Sequence, residues 1–295
     1  MIVSKGIGRL WLCVAVLICA TATPVLLDAA EPAASDLRQR LDSLQQQIEA
    51  NSSALEKGRI ELQRVLRESD AKRTIVGNKN FLVNAPTREM GERILAAAEL
   101  CRDRIAVEWF GDTLADGQES ASIHVELRDT DEGGFTLLCD PKRRFSGRHR
   151  IWLNTTRDRA LGGTLAHEIA HVVLNARFAD GMAAWANEGI ASRLDDSRRA
   201  AIRQETLKNI VQTGRWPSLQ RLLNQPQIKS TDRVGYSVAV SVTEFLLSRG
   251  SRARFLDFVE LGQRTGWDTA VRRIYGIADV EQLRRDWRRS LSSEK

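Results

Sequence analysis

The sequence predicts an α+β fold in which a small mixed sheet precedes a helical C-terminal half. Short segments with the apolar alternation of strands occur in the middle of the chain, at 81–84, 122–127, 135–138 and 151–153. From residue 162 onward, apolar residues recur at helical spacing. About 215 residues follow residue 80, which is enough for one domain with its own core. We place this domain at residues 76–295.

Residues 1–30 have the features of a signal peptide. Lys5 and Arg9 form a positive start, and residues 10–20 are an apolar run that is too short for an ordinary membrane span. Small residues that suit cleavage follow at 20–22 and again at 29–30. The segment predicts export to a periplasmic or extracellular compartment, with membrane contact only if the segment stays uncleaved.

Residues 31–75 are predicted to form a helical, coiled-coil-like extension. Leucine or isoleucine recurs every seven residues at 41, 48, 55 and 62, and a second series at 37, 44 and 65 is interrupted by Asn51 and Gly58. This is the a/d pattern of a helix that another helix covers. Two interpretations stay open: a homodimer formed through residues 37–65, or a single amphipathic helix that packs on the domain that follows.

The helices of the following domain have clear apolar spacing. A long amphipathic helix is predicted over 87–110, followed by a loop over 111–120. After the strands, one helix begins near residue 163. The next is predicted to continue to about residue 212, and further helices are expected at 236–247, 253–263, 267–275 and 280–291.

Charge and cysteine content limit the partners and the compartment. The net charge is +6, from 44 Lys and Arg against 38 Asp and Glu, and no basic stripe is interleaved with aromatic residues. Nucleic acid is therefore not an expected partner. Without the signal peptide two cysteines remain, Cys101 and Cys139. In an oxidising compartment this pair predicts a disulfide, with two buried free thiols as the alternative.

The most informative feature is the pentapeptide His167-Glu168-Ile169-Ala170-His171. On an α-helix, residues four positions apart project from the same face, so both imidazoles can bind one metal ion. Glu168 then faces the open coordination site of that ion. This is the HExxH arrangement, in which two histidines bind Zn²⁺ and the glutamate is the general base. The other histidines, His124 and His149, are expected to be ordinary surface or strand residues.

A catalytic zinc site needs a third protein ligand and an open position for water. The metzincin pattern has a third histidine six residues after the second, but this chain has Arg177 there, which excludes that pattern. The segment Trp185-Ala186-Asn187-Glu188-Gly189 offers a carboxylate instead. Asp180-Gly181 can turn the chain back between two antiparallel helices, so Glu188 is the predicted third ligand.

Together, HEIAH and WANEGIA resemble the two motifs of the gluzincin zinc metallopeptidases, in the peptidase MA-like superfamily. The resemblance implies a zincin-like domain with one Zn²⁺ per chain, bound by His167, His171 and Glu188, and Glu168 as catalytic base. Thermolysin-like members have a carboxylate four residues after the ligand glutamate, where this chain has Ser192, so the contacts that orient the ligands must differ. The Gly-x-Met-Glu-Asn segment of the aminopeptidases is missing, which favours an endopeptidase.

The resemblance also assigns the surroundings of the zinc ion. In this fold the strand directly before the active-site helix, here 151–153, is expected to form the edge of the cleft, where an extended peptide could pair with it. Family members use a Tyr or His from a later helix to stabilise the developing oxyanion. Tyr236 opens an apolar helix at the corresponding place and is assigned this role, with an anchoring role in the core as the alternative.

The sequence thus predicts an exported zinc metallopeptidase that hydrolyses protein or peptide substrates with a zinc-bound water and Glu168 as general base. Two other classes stay open. One is a zinc hydrolase that acts on another amide or on a peptidoglycan peptide. The other is an envelope scaffold whose heptad segment binds partners and whose zinc site has little or no proteolytic activity. The presence of all four key residues speaks against the scaffold.

Overall fold

The computed structural model describes residues 73–129, 133–139 and 147–293, and in the N-terminal region residues 41, 43–47 and 52, which are helical. The chain divides into two compact units, Met1–Ala71 and Lys72–Lys295. The predicted signal peptide and most of the heptad segment lie outside the described residues. The signal peptide and the homodimer through residues 37–65 therefore stay predictions.

The second unit has the predicted α+β class, with a five-stranded mixed sheet and a mostly helical C-terminal half. Its strands are β1 (Thr74–Gly77), β2 (Phe81–Ala85), β3 (Ala121–Leu127), β4 (Gly133–Leu137) and β5 (His149–Thr155). The order across the sheet is β1-β2-β3-β5-β4. The strands β2, β3 and β5 are parallel, and both edge strands are antiparallel to their neighbours. The four predicted strands are confirmed to within two residues, whereas the four-residue β1 is too short to show alternation.

The expectation that an extended peptide could pair with the strand before the active-site helix is wrong, because both sides of that strand are already paired. β5 is an interior strand, in which Leu153 pairs with Val125 of β3 on one side and with Gly134 of β4 on the other. Its buried residues alternate, and Ile151 and Leu153 are fully buried. β4 forms the edge of the sheet next to β5, because β5 follows β4 in the chain but inserts between β4 and β3 in the sheet.

The helices frame the sheet and build the C-terminal half. α1 (Arg88–Phe110) begins at Thr87, whose side chain accepts a hydrogen bond from the Met90 amide, and packs against β1 and β2. The others are α2 (Arg157–Ala160), α3 (Gly163–Asn175), α4 (Ala184–Ala191), α5 (Ser197–Thr213), α6 (Leu219–Asn224), α7 (Arg233–Leu247), α8 (Arg252–Thr265), α9 (Trp267–Tyr275) and α10 (Val280–Ser293). Within the described residues, none of the helices is both long and apolar enough to cross a membrane.

The core is densest around α3 and α4. Every residue of α3 from Thr164 to Asn175 is buried, because α3 contacts α1, α4, β4 and β5. Trp185 of α4 is fully buried and packs edge-on against Phe255 and Trp267, with ring centroids 5.8 and 5.6 Å apart. These two helices are therefore fixed from several sides, which suits elements that must hold side chains in one geometry.

The prediction that the helix with Glu188 continues to about residue 212 is wrong. α4 ends at Ala191, a 3₁₀ turn covers Ser192–Leu194, and α5 begins only at Ser197. Asp196 caps the new helix, because its side chain accepts a hydrogen bond from the Arg199 amide. Asp195 therefore lies in the break between the 3₁₀ turn and α5.

The predicted disulfide is also contradicted, since Cys101 and Cys139 are not bridged to each other. Cys101 lies on α1, which packs against β1 and β2, whereas Cys139 follows β4 at the other edge of the sheet. Three strand spacings, about 14 Å, separate β2 from β4, and disulfides need Cα atoms within about 7 Å. Burial raises the pKa of the Cys101 thiol above its ordinary value.

Candidate metal centre

The α3 helix presents His167 and His171 on one face, one turn apart. Their ring centroids are 4.9 Å apart, and the two residues are only 7% and 9% exposed. Glu188 faces both rings from α4. Its Oε2 atom is 3.5 Å from His167 Nε2, and its Oε1 atom is 4.0 Å from His171 Nε2. The structure therefore brings the three predicted ligands together.

Glu188 reaches this position because α4 lies very close to α7. A Cβ atom built on Gly189 would clash with the Thr243 hydroxyl and would lie 2.9 Å from the Ala239 carbonyl oxygen. Only a residue without a side chain allows this approach. Close packing of α4 on α7 thus explains why glycine follows Glu188, and this packing holds Glu188 next to the two histidines.

The donor set fits a zinc ion. One ligand atom from each of the three residues lies within 4.8 Å of the others. Zinc bonds of about 2.0–2.2 Å in a tetrahedral arrangement place neighbouring ligand atoms about 3.3 Å apart, close to the 3.5 Å between His167 and Glu188. Glu188 Oε2 is buried and accepts no hydrogen bond from the described residues, with His167 Nε2 as its neighbour at 3.5 Å. A buried carboxylate oxygen in that condition is costly unless a cation binds it.

Each histidine is oriented from behind by a different side chain. His171 Nδ1 is 2.9 Å from Asn187 Oδ1, and His167 Nδ1 is 3.1 Å from Asp195 Oδ1. Both oxygens accept, so Nδ1 of each ring donates, and this fixes the tautomer that leaves Nε2 available to a metal. Asn187 directly precedes Glu188 in the chain, so one turn of α4 supplies both a ligand and the group that orients another ligand.

Asp195 takes the role that the sequence could not assign to Ser192. The Ser192 side chain is buried, and its hydroxyl makes no hydrogen bond to the described residues. The carboxylate comes from three residues further on, where the 3₁₀ turn ends. Asp195 is in turn held by Arg203 at 2.6 Å and by Arg199 at 3.3 Å. Its side chain is 3% exposed, so this ion-pair network is buried.

Glu168, the residue after His167, contacts the edge strand β4 and lines the same cleft as His167. The Thr136 hydroxyl donates to Glu168 Oε2 at 2.6 Å. A Cβ atom built on Gly134 would lie 2.6 Å from both Cγ and Oε1 of Glu168, so only glycine leaves room for the carboxylate there. Thr136 and Gly134 are 32 and 34 residues away in sequence, and no local pattern connects them to the HExxH motif.

A cleft of about 310 Å³ opens beside Glu168. Tyr236, on the first turn of α7, lines it together with His167 and Glu168, so the structure places this predicted residue at the site. Burial, followed by the nearby carboxylates Glu188 and Glu168, raises the pKa of the Tyr236 phenol above its ordinary value. The phenol therefore stays protonated and can donate a hydrogen bond. The remaining residues that line the cleft are Gly133, Gly134, Asp195, Arg199, Ile202, Arg203, Ser230, Arg233 and Ser237.

The charges of the site are strongly coupled. Burial lowers the pKa of the His167 imidazole, but Asp195 and Glu188 outweigh it and raise the pKa to about 10. Burial raises the pKa values of Glu188 and Asp195, but the neighbouring histidines, and for Asp195 also Arg203, bring both below their ordinary values. Glu188 and Asp195 are thus kept ionised on either side of the His167 ring. A metal ion bound at Nε2 would replace the proton that faces Glu188, whereas Nδ1 keeps its proton towards Asp195.

The other two histidines lie outside this group. His149 begins β5, where its Nε2 atom is 2.5 Å from Glu119 Oε2 and its Nδ1 atom accepts from the Cys139 amide. It pairs with Ala121 of β3, so His149 is a strand residue. His124 lies within β3. Neither belongs to the metal-binding group of the described residues.

Comparison of the chain with protein-family models, with curated proteins and with solved structures gave no match. A function can therefore be inferred only from the chemistry of the cleft and of the group His167, His171 and Glu188.

Proposed function

We propose that this protein is an exported zinc metallopeptidase of the gluzincin type, with a zincin-like domain and an endopeptidase activity. The observation that supports this most directly is the buried group of His167, His171 and Glu188. Their ligand atoms face one another, and the carboxylate of Glu168 lies beside them in an open cleft. A purely structural metal site would be closed by a fourth protein ligand, whereas this group offers three and leaves one side open.

A bound zinc ion would supply a Lewis acid that polarises the scissile carbonyl and lowers the pKa of a water molecule. The chain supplies the rest. Glu168, held by Thr136, is placed to accept the proton of the attacking water and pass it to the leaving amine. Tyr236, kept protonated by burial, is placed to donate a hydrogen bond to the developing oxyanion. Asp195 and Asn187 hold the two histidines in the orientation that metal binding requires.

The edge strand β4 is the surface that suits a peptide substrate. An extended chain can add to an exposed sheet edge through main-chain hydrogen bonds. Because Glu168 contacts Gly134 and Thr136 of β4, a peptide paired with this edge would lie next to the base. The cleft is open to solvent beside this edge, which leaves room for a peptide chain.

The test combines metal content and hydrolysis in one set of variants. Wild-type mature protein, purified without chelators, is expected to contain about one zinc per chain and to cleave members of a peptide library. Glu168→Gln is expected to keep the zinc and to lower kcat by at least about 10²-fold, because the base is not a ligand. Glu205→Gln, which changes an exposed glutamate outside the cleft, is the matched control.

Two outcomes contradict the proposal. The absence of stoichiometric zinc would show that the chain has no zinc centre. Equal hydrolysis by wild-type protein and Glu168→Gln would show that Glu168 is not the general base. Stoichiometric zinc without cleavage of any peptide would instead favour a hydrolase of another amide or the scaffold.

A further inference from the structure

The helix α3 and the edge strand β4 are joined at a second place, away from the cleft. The first place is the direct contact in which Thr136 donates to Glu168. Asn175 lies seven residues, or about two turns, after Glu168, so both side chains project from the same face of α3. The Asn175 side chain donates to Glu119 Oε2 at 2.8 Å, and the same oxygen is 2.5 Å from His149 Nε2. Glu119 thus links the end of α3 to the first residue of β5.

His149 extends this link to β4. Its Nδ1 atom accepts from the Cys139 amide at 2.8 Å, two residues after β4 ends. Since a backbone amide can only donate, the ring proton lies on Nε2 and is donated to Glu119. Burial raises the pKa of the Glu119 carboxyl, but the hydrogen bonds from His149 and Asn175 outweigh burial and lower it, so Glu119 accepts as a carboxylate. His149 and Asn175 are only 5% and 8% exposed, which shields these hydrogen bonds from water.

The two contacts have matching spacing along the helix and along the strand. On α3, seven residues at about 1.5 Å each separate Glu168 from Asn175 by about 10 Å. On the other side, three residues at about 3.4 Å each separate Thr136 from Cys139 by about the same distance and in the same order. A strand that is held at one point can pivot about it, whereas a strand held at two points keeps its direction along the helix. The contact through Glu119 therefore fixes the direction in which Thr136 approaches Glu168.

Glu119 makes this contact from a strained backbone conformation. Among the described residues it is the one non-glycine residue with a positive φ, at 51°. Such a conformation persists only where the surroundings impose it, and here the loop before Glu119 is fixed by Arg102, a buried arginine of α1. Its guanidinium donates to three carbonyl oxygens of that loop, those of Leu114, Ala115 and Gln118. The strain points to a constraint on the Glu119 side chain, which is the group that contacts α3 and β5.

On the basis of the proposed peptidase function, we propose that Glu119 is a positioning residue for the catalytic base. Through Asn175 and His149 it holds β4 alongside α3, and this keeps Thr136 in the place from which it orients Glu168. In the part of the chain that the structure describes, neither Glu119 nor its two partners line the cleft. Glu119 therefore acts through β4 and does not touch the substrate.

Amide hydrogen exchange of the full mature chain, followed by mass spectrometry, tests this contact without any substrate. Glu119→Ala removes the shared acceptor, so exchange at residues 138–139 is expected to become about tenfold faster, as for the loss of one hydrogen bond. Glu119→Gln keeps an oxygen that can accept from both donors, and its exchange should stay within about twofold of wild type. Glu108→Ala is the matched control, because it removes a carboxylate that accepts twice from Arg252 between α1 and α8. It should leave exchange at residues 138–139 unchanged.

Turnover is measured in the same proteins after zinc loading. In Glu119→Ala, kcat is expected to fall about five- to tenfold, with KM within about twofold and zinc content unchanged, because the base loses its orientation while the ligands stay in place. Glu119→Gly separates positioning from stability. It removes the same hydrogen bonds but relieves the positive φ, so its Tm should lie about 2–4 °C above that of Glu119→Ala while kcat stays equally low.

Three results would overturn the proposal. They are unchanged exchange at residues 138–139 in Glu119→Ala, equal exchange in Glu119→Ala and Glu119→Gln, and a kcat that recovers together with Tm in Glu119→Gly. If wild-type protein cleaves no peptide, the peptidase function fails, and the exchange rates still decide whether Glu119 holds β4 to α3. If wild-type protein and Glu119→Ala cleave with equal kcat, the peptidase function stands and the positioning role is refuted.

Discussion

The two walls of the cleft are built in different ways. The first wall carries the proposed ligands and is called the metal-binding wall. It comes from α3 and α4, where His167 and His171 are almost completely buried and each has its own orienting partner. The opposite wall comes from the edge strand β4 and the first turn of α7, where Gly134 and Arg233 are exposed. This fold therefore fixes the proposed ligands tightly and leaves the groups proposed to face the substrate adjustable. Substitutions in the first wall should therefore act on metal affinity and stability, and those in the second on turnover and selectivity.

The largest expected effect is on the metal-binding wall itself. His167→Ala should abolish stoichiometric zinc binding, because only two protein ligands would remain. Glu188→Gln should bind zinc more weakly than wild-type protein but more strongly than His167→Ala, since the amide oxygen can still reach the site. Elemental analysis and competition with a chromogenic chelator measure both. Equal zinc content in wild-type protein and His167→Ala would show that His167 is not needed for zinc binding.

The next effect compares the two orienting groups. Asp195→Asn should weaken zinc binding about 10–100-fold, and it should also destabilise the fold by about 3–5 kcal/mol, because Arg203 would lose its buried partner. Asn187→Ala should weaken zinc binding with a smaller loss of stability, since it breaks a neutral hydrogen bond. Asp257→Asn, which removes an exposed ion pair with Arg177, is the control for charge loss.

Zinc titration and thermal unfolding measure these variants. If Asp195→Asn and Asp257→Asn were equally stable, the buried network would have no structural role.

Local spacing explains why one wall could be predicted and the other could not. The pair His167 and His171 is visible in the sequence because helix geometry brings residues four positions apart to one face. Glu188 is visible because it lies on the next helix, after the chain turns at Asp180-Gly181. Asp195 was missed because the predicted helix ran through it, although Asp196 before Ser197 is a capping signal that could have shown the break. Thr136 could not be found, because its contact with Glu168 depends on the sheet order, and the sequence pattern does not determine that order.

Zinc binding to the metal-binding wall should depend on pH, because His167 must lose a proton. The pKa of His167 is about 10 without a metal ion, so zinc must displace about one proton at neutral pH. The apparent zinc affinity should therefore rise about tenfold per pH unit in the neutral range and level off as the pH approaches about 10. Calorimetry in buffers of different ionisation enthalpy measures the released proton.

The raised pKa of His167 should have the opposite effect on the stability of the chelator-treated protein, which should fall as the pH rises. A raised folded pKa stabilises the fold fully below the unfolded value of 6.5, and this contribution is lost as the pH rises through about 10. Thermal unfolding of chelator-treated protein should follow that trend, whereas zinc-loaded protein should not. Proton release of zero at neutral pH would show that His167 is already neutral.

The smallest effect concerns the substrate-facing wall. Thr136→Val removes the hydroxyl that donates to Glu168 at 2.6 Å and keeps the shape of the side chain. The carboxylate would then lose one of the groups that orient it, so kcat is expected to fall about five- to tenfold. Thr136→Ser restores a donor at the same position and should return kcat to within about twofold of wild type. Zinc content should be the same in all three proteins, because Thr136 does not contact a ligand. A drop in zinc content in Thr136→Val would show that the two walls are coupled, and equal kcat values for Val and Ser would show that the hydroxyl does not orient the base.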